Sequence, residues 1–121
     1  MNRRVIAAVD DLFFAAKIRG TAEGLGFRTI FPKTADAVCE EARDATSALV
    51  VIDLHARFCD PAALAARLKA DDATRDLPIL GFFSHVQTEL MRRARAAGVE
   101  HVVPRSVFSQ RLRELLQSSQ Q

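Results

Sequence analysis

Short, unbroken apolar runs alternate along this chain with stretches whose apolar residues recur every three or four positions, and the alternation occurs five times. Residues 4–9, 27–31, 48–52, 77–83 and 99–103 read as strands. Val5-Ile6-Ala7-Ala8-Val9 and Ala48-Leu49-Val50-Val51-Ile52 are too uniformly apolar for a strand with one wet face. They belong in a parallel sheet covered on both sides. The first intervening stretch carries Phe14, Ile18, Ala22 and Leu25 on one helical face and closes at Gly24 and Gly26. Thr34 is a good N-cap for a second helix, with Ala35, Val38, Ala42 and Ala45 on one side. Asp60-Pro61 opens the third, with Asp as cap and Pro in the first turn, and Ala65 and Leu68 face inward beside Leu64. The fourth shows Val86, Leu90, Ala94 and Ala97, and Gly98 ends it. The last shows Phe108, Leu112 and Leu115, then a polar, fraying tail over residues 117–121. Five such units predict an α/β fold: a doubly wound, open, five-stranded parallel sheet with five helices on both faces. No linker interrupts residues 1–121, so one domain with no output domain is expected.

Composition narrows the classes. At 121 residues and 49% hydrophobic, the chain can build one sizeable core. It has no apolar stretch long enough for a membrane span, and the Met-Asn-Arg-Arg start leads directly into a strand rather than a signal peptide. The expected location is the cytoplasm. Cys39 and Cys59 lie apart without Cys-x-x-Cys spacing and the three histidines are scattered, which argues against zinc and for small buried thiols. A formal charge of +2 is too mild to announce nucleic-acid binding, and neither Trp nor Tyr is present to stack bases.

Three aspartates carry the chemistry. Asp10 and Asp11 follow the first strand, and Asp53 follows the third. In a doubly wound sheet, ligands bind outside the carboxyl ends of the strands. If those two strands are neighbours, three carboxylates meet in one corner. Ionised at a separation of ~4–5 Å, each pair costs about 3–4 kcal/mol at an effective dielectric near 20. A hard divalent ion reverses that sign, so the corner is expected to hold one.

With these residues in view, nearly the whole chain resembles the receiver domain of two-component response regulators. Val9-Asp10-Asp11 is similar to that family's acidic pair, and Asp53 falls at its phosphoacceptor. The stretch from Leu68 to Ile79, with Asp71-Asp72-Ala73-Thr74-Arg75-Asp76, resembles its link into the fourth strand, and Ala96-Ala97-Gly98-Val99-Glu100 the end of its fourth helix. The resemblance implies a flavodoxin-like sheet of strand order 2-1-3-4-5. It implies Asp53 as the nucleophile toward a phosphoryl donor, and Mg²⁺ held by Asp10, Asp11, Asp53 and the backbone carbonyl of His55. It implies a histidine kinase or phosphotransfer protein as donor. It also implies a surface of fourth helix, fifth strand and last helix that meets a downstream protein or a second copy; here that surface holds Arg92, Arg93, Arg95 and Val102.

The departures from the family pattern are specific. The hydroxyl expected at the end of the fourth strand falls at Phe83, and Ser84 follows. The family's lysine slot holds Arg105, with Pro104 one place early. Val102 replaces the switch aromatic, and Arg57 stands where a proline often follows the acceptor. Ser84 and Arg105 are the candidates for phosphoryl contacts. Arg keeps the charge of Lys but presents a larger planar fork. The bland alternative makes Asp10 a helix cap, Asp53 a remnant, Phe83 core and the arginines a solvated face.

Three functions compete. The first is a stand-alone receiver-like module of a phosphorelay, phosphorylated on Asp53 with Mg²⁺. The second is a pseudo-receiver acting as a phosphorylation-independent protein scaffold. The third is an unrelated enzyme on the same sheet. Against the third, no triad, Walker loop or dinucleotide loop is present, because Gly20, Gly24 and Gly26 end a helix rather than follow a strand. Asp53-x-His55 also resembles a cobalamin-binding loop, but Phe58 occupies the position where glycine is needed. The first reading leads, and it makes the chain no enzyme beyond slow self-phosphorylation and autodephosphorylation.

Overall fold

The computed structural model describes residues 3–84 and 86–118. In chain order it contains β1 (Arg4–Ala8), α1 (Leu12–Gly24), β2 (Arg28–Ile30), α2 (Ala35–Ala42), β3 (Ser47–Asp53), α3 (Pro61–Ala70), β4 (Ile79–Phe83), α4 (Thr88–Ala96), β5 (His101–Pro104), α5 (Arg105–Gln110) and α6 (Leu112–Ser118). All strand pairs are parallel, and the sheet runs β2-β1-β3-β4-β5. The strand order implied by the resemblance is the observed one.

Local sequence explains most boundaries. Asp11, Thr34 and Asp60 cap α1, α2 and α3, accepting the N–H of Phe14 (3.0 Å), Ala37 (3.0 Å) and Ala63 (3.2 Å). Asp11, not Asp10, is therefore the cap of the first helix. Gly98 follows α4 with φ +105°, and a Cβ there would lie 2.6 Å from the Cγ of Lys69, so both backbone and space require glycine.

Two elements differ from expectation. The C-terminal segment is two helices rather than one, which makes six helices among the described residues. Arg111 leaves helical geometry (φ −112°, ψ 19°), although its N–H still reaches the Val107 carbonyl at 2.9 Å. The inward residues become Phe108, Leu112 and Leu116, with Leu115 half-buried. The fourth helix begins at Thr88, so Val86 lies before it and is 77% exposed rather than on its apolar face.

The sheet separates two apolar layers. On one side α2, α3 and α4 bring Val38, Leu64, Leu68 and Ala94 against Ile6, Val50, Ile52, Ile79 and Phe83. On the other, α1, α5 and α6 bring Phe14, Ile18, Phe108, Leu112 and Leu116 against Val5, Leu49, Val51, Leu80 and Phe82. Every residue of β3 is buried, which makes it the central strand of the core. Cys39 is buried and Cys59 half-buried, and burial pushes both thiols up. Among the described residues, no helix is long and apolar enough to cross a membrane.

Candidate functional site

Strand order reverses between β1 and β3: β1 leads outward to β2, and β3 leads outward to β4 and β5. The crevice at the carboxyl ends of those two strands is the ligand-binding position of open α/β sheets. The Ala8↔Ile52 register brings the ends of both strands level. Asp10 and Asp11 follow β1, and Asp53 is the last residue of β3, so all three acids lie at the carboxyl edge of two adjacent strands.

They arrive in different states. Asp53 is 9% exposed, and its Oδ1 accepts the N–H of His55 at 2.8 Å. Its pKa is raised above the ordinary value, first by burial and further by the nearby charge of Asp10. The His55 N–H and the positive charges of His55 and Arg105 oppose that rise. Asp10 is exposed, and its Oδ2 accepts the N–H of Arg57 at 2.9 Å, tying the β3–α3 loop to the end of β1.

Asp11 is turned to other work. Its Oδ1 caps α1, and its Oδ2 takes the Arg105 guanidinium at 2.8 Å. Its pKa is held down by the Phe14 N–H first and Arg105 second. Among the described residues, no group of three or more His, Cys, Asp or Glu side chains is arranged to hold a metal ion. The charge of Asp10 adds to the rise in the Asp53 pKa, whereas Asp11 is satisfied by a guanidinium and a helix N-terminus.

Phe83 and Ser84 resolve by alternation along β4. Asp53 pairs in register with Phe82, and the Phe82 carbonyl accepts the N–H of Leu54 at 2.9 Å. Phe82 lies in the core layer under α1, α5 and α6, and Phe83 in the layer under α2, α3 and α4. Ser84 is exposed just past the strand. Arg105 opens α5, half-buried, with its Cζ 4.5 Å from the centre of the Phe14 ring. That ring belongs to an aromatic cluster the sequence reading did not single out. Phe14 lies 4.7 Å from Phe82, and Phe82 lies 4.8 Å from Phe108. The i, i+4 face of the first helix placed Phe14 inward, but nothing local in the chain pairs it with residues 68 and 94 positions away.

The basic side is more dispersed. Arg92 pairs with Glu89 on α4 itself, Arg93 reaches Asp60 at 3.4 Å, Arg95 is exposed, and Val102 is half-buried on β5. Exposed ion pairs of this kind contribute little to stability.

No family model matches the chain, and no curated protein matches it. Solved structures do. The CheY-like response regulator receiver domain protein from Methanospirillum hungatei superposes with a TM-score of 0.83 at 14% identity, covering 98% of this chain and 93% of that one. Chemotaxis response regulator CheY4 of Vibrio cholerae gives 0.83 at 14%, covering 98% and 99%. The receiver domain of a sensor histidine kinase from Pseudomonas aeruginosa gives 0.83 at 14%, covering 98% and 97%, and that structure has a magnesium ion coordinated in its active site cleft. The fold of this chain is that of a response-regulator receiver domain, over almost its full length.

Proposed function

We propose that this receiver-fold chain is a signalling module that accepts a phosphoryl group on Asp53, with Mg²⁺ at the same corner, from a histidine kinase or phosphotransfer protein of a two-component relay. The observation that carries the reading is the placement of Asp53. It is a buried carboxyl at the end of the central strand, at the point where strand order reverses. Burial and Asp10 both penalise its charged form, which is the condition a bound divalent cation relieves.

The residues fit such an ion. Mg²⁺ keeps several waters and takes only one or two carboxylates. Asp10 and Asp53, with the carbonyl of His55, would hold it, and it would neutralise charge on the transferring group. The rest follows from the chain. β3 and the His55 N–H fix one oxygen of Asp53. The carboxylate attacks phosphorus, an O–P bond forms, and the bond from phosphorus to the donor breaks with its electron pair leaving on the donor. Ser84, exposed past β4, and Arg105, paired with Asp11, would be the groups that contact the phosphoryl oxygens. The Arg57 N–H keeps Asp10 at the corner. The α4–β5–α5 face, with Arg92, Arg93, Arg95 and Val102, is the surface for a downstream protein or a second copy. In this reading the module works in the cytoplasm and turns over no substrate of its own.

The test is direct. Incubation with Mg²⁺ and acetyl phosphate adds one phosphoryl group by intact-mass spectrometry, as an alkali-labile acyl phosphate. Asp53→Asn abolishes the addition. An unmodified parent protein under saturating donor removes phosphotransfer and leaves the fold as a binding scaffold.

A further inference from the structure

Among the described residues, three large apolar side chains are left in water: Leu12 at 78% exposure, Phe13 at 91% and Val86 at 77%. None of them belongs to either apolar layer. All three stand at the carboxyl edge of the parallel sheet. Leu12 and Phe13 fill the first turn after β1, and Val86 lies in the connection after β4.

Val86 borders a groove of about 340 Å³ that also takes in Thr88, Met91, Arg92 and Arg95. Residues 88, 91, 92 and 95 form one stripe along α4. Arg92 is paired with Glu89 of the same helix, whereas Arg95 is exposed and has no ion pair or hydrogen bond among the described residues. The groove thus offers apolar surface beside an uncompensated cation. The α1 turn offers the complement. Leu12 and Phe13 directly follow Asp10 and Asp11. Asp11 is taken up by its cap and by Arg105, but Asp10 is exposed, and only its Oδ2 has a hydrogen-bond partner among the described residues. Within one molecule the two patches stay apart, because α1 covers the layer of Phe82 and Phe108 and α4 covers the layer of Phe83.

We propose that the α1 turn of one copy, Leu12 and Phe13 with Asp10, docks in the α4 groove of a second copy, against Val86, Met91 and Arg95. One contact then covers all three exposed apolar side chains and pairs the free acid with the free cation. The patches differ, so copies join head to tail or close as a reciprocal pair. β5 and α5 contribute no residue to the groove, so the contact differs from one across the whole α4–β5–α5 face. It uses neither Asp53 nor a metal ion and is independent of the phosphotransfer reading. The patches are small, so the association is weak.

Sedimentation equilibrium of the full chain at roughly 1 mM, without metal or phosphoryl donor, tests it. The parent shows a mass above the monomer that falls on dilution. Phe13→Ser and Arg95→Glu each lower the association constant by at least about tenfold. Mixed in equal amounts, these two variants associate again, because the Arg95→Glu chain brings an intact α1 turn and the Phe13→Ser chain an intact groove. Val86→Ser repeats the result of Arg95→Glu, and circular dichroism melts confirm that every variant folds. A parent that stays monomeric overturns the proposal. A loss on only one of the two substitutions also overturns it, since that marks a symmetric pairing of like patches. So does a mixture that stays monomeric.

Discussion

The two faces of the sheet are packed by different means, and they reach the acidic corner by different routes. The α2–α3–α4 face is largely aliphatic, built from Val38, Leu64, Leu68 and the small residues Ala42, Ala65 and Ala94. The α1–α5–α6 face is organised around the Phe14–Phe82–Phe108 cluster, and Arg105 lies over the first of those rings. Phe82 and Phe83, identical neighbours on β4, show the difference most clearly. One supports the platform under Arg105 and the other fills space beneath α3. Chemical likeness and equal burial do not give two residues the same role; the strand's alternation assigns it.

Truncation should break the comparison if it is wrong. Phe82→Ala and Phe83→Ala each empty a ring-sized volume and should cost about 3–5 kcal/mol by urea denaturation. Only Phe82→Ala should also shift the Arg105 Nε–Hε resonance, because only that ring lies under the platform. Equal shifts in both variants would mean that the corner senses general loosening, not one face.

A smaller effect, of opposite sign, isolates the corner from both faces. Asp53 has its folded-state pKa raised above 3.8, chiefly by burial, so its ionised form is penalised in the folded state. That penalty is absent at pH values below the unfolded pKa and is fully felt once pH has risen past the folded one. Asp53→Asn should therefore stabilise the metal-free protein at pH 7, because a neutral amide escapes the burial penalty that the carboxylate bears. The gain should shrink as pH falls toward 4, and melting curves across that range would show it. A gain independent of pH would point to repacking instead of relieved charge.

The smallest effect lies one residue from the platform. Leu12 and Phe13 are 78% and 91% exposed in the first turn of α1, directly beside Asp11. Phe13→Ser should change stability by no more than about 0.5 kcal/mol, since exposed positions away from caps and cores rarely matter more. A larger loss would place Phe13 in the aromatic network, alongside the adjacent Phe14.

Much of the fold was legible because its signals are local. The apolar runs of β1 and β3 announced buried parallel strands, and Thr34, Asp60 and Gly98 marked helix ends by chemistry that acts within one turn. Two misplacements have local causes as well. Val86 matched the helical spacing of α4, but a periodic pattern does not say where a helix starts, and Gln87 supplies no side-chain cap to mark it. The last helix was read as continuous because its apolar period is unbroken, while the break occurs in the backbone at Arg111.

The site divides in the same way. That Asp10, Asp11 and Asp53 end strands is written in the chain, and so is the presence of a permanent cation at Arg105. How the acids share the corner is not. Asp10 and Asp11 are adjacent and chemically identical, yet one takes a loop amide from Arg57 and the other becomes helix cap and ion-pair partner. By itself the sequence determined the alternation of elements and which of them carry carboxylates, since both depend on spacings of a few residues. Only the tertiary structure decided which carboxylate meets which cation. Hydrogen-bond and Coulomb energies depend on separations of a few ångströms, and contacts across 47 and 94 positions acquire those separations only once the sheet has formed.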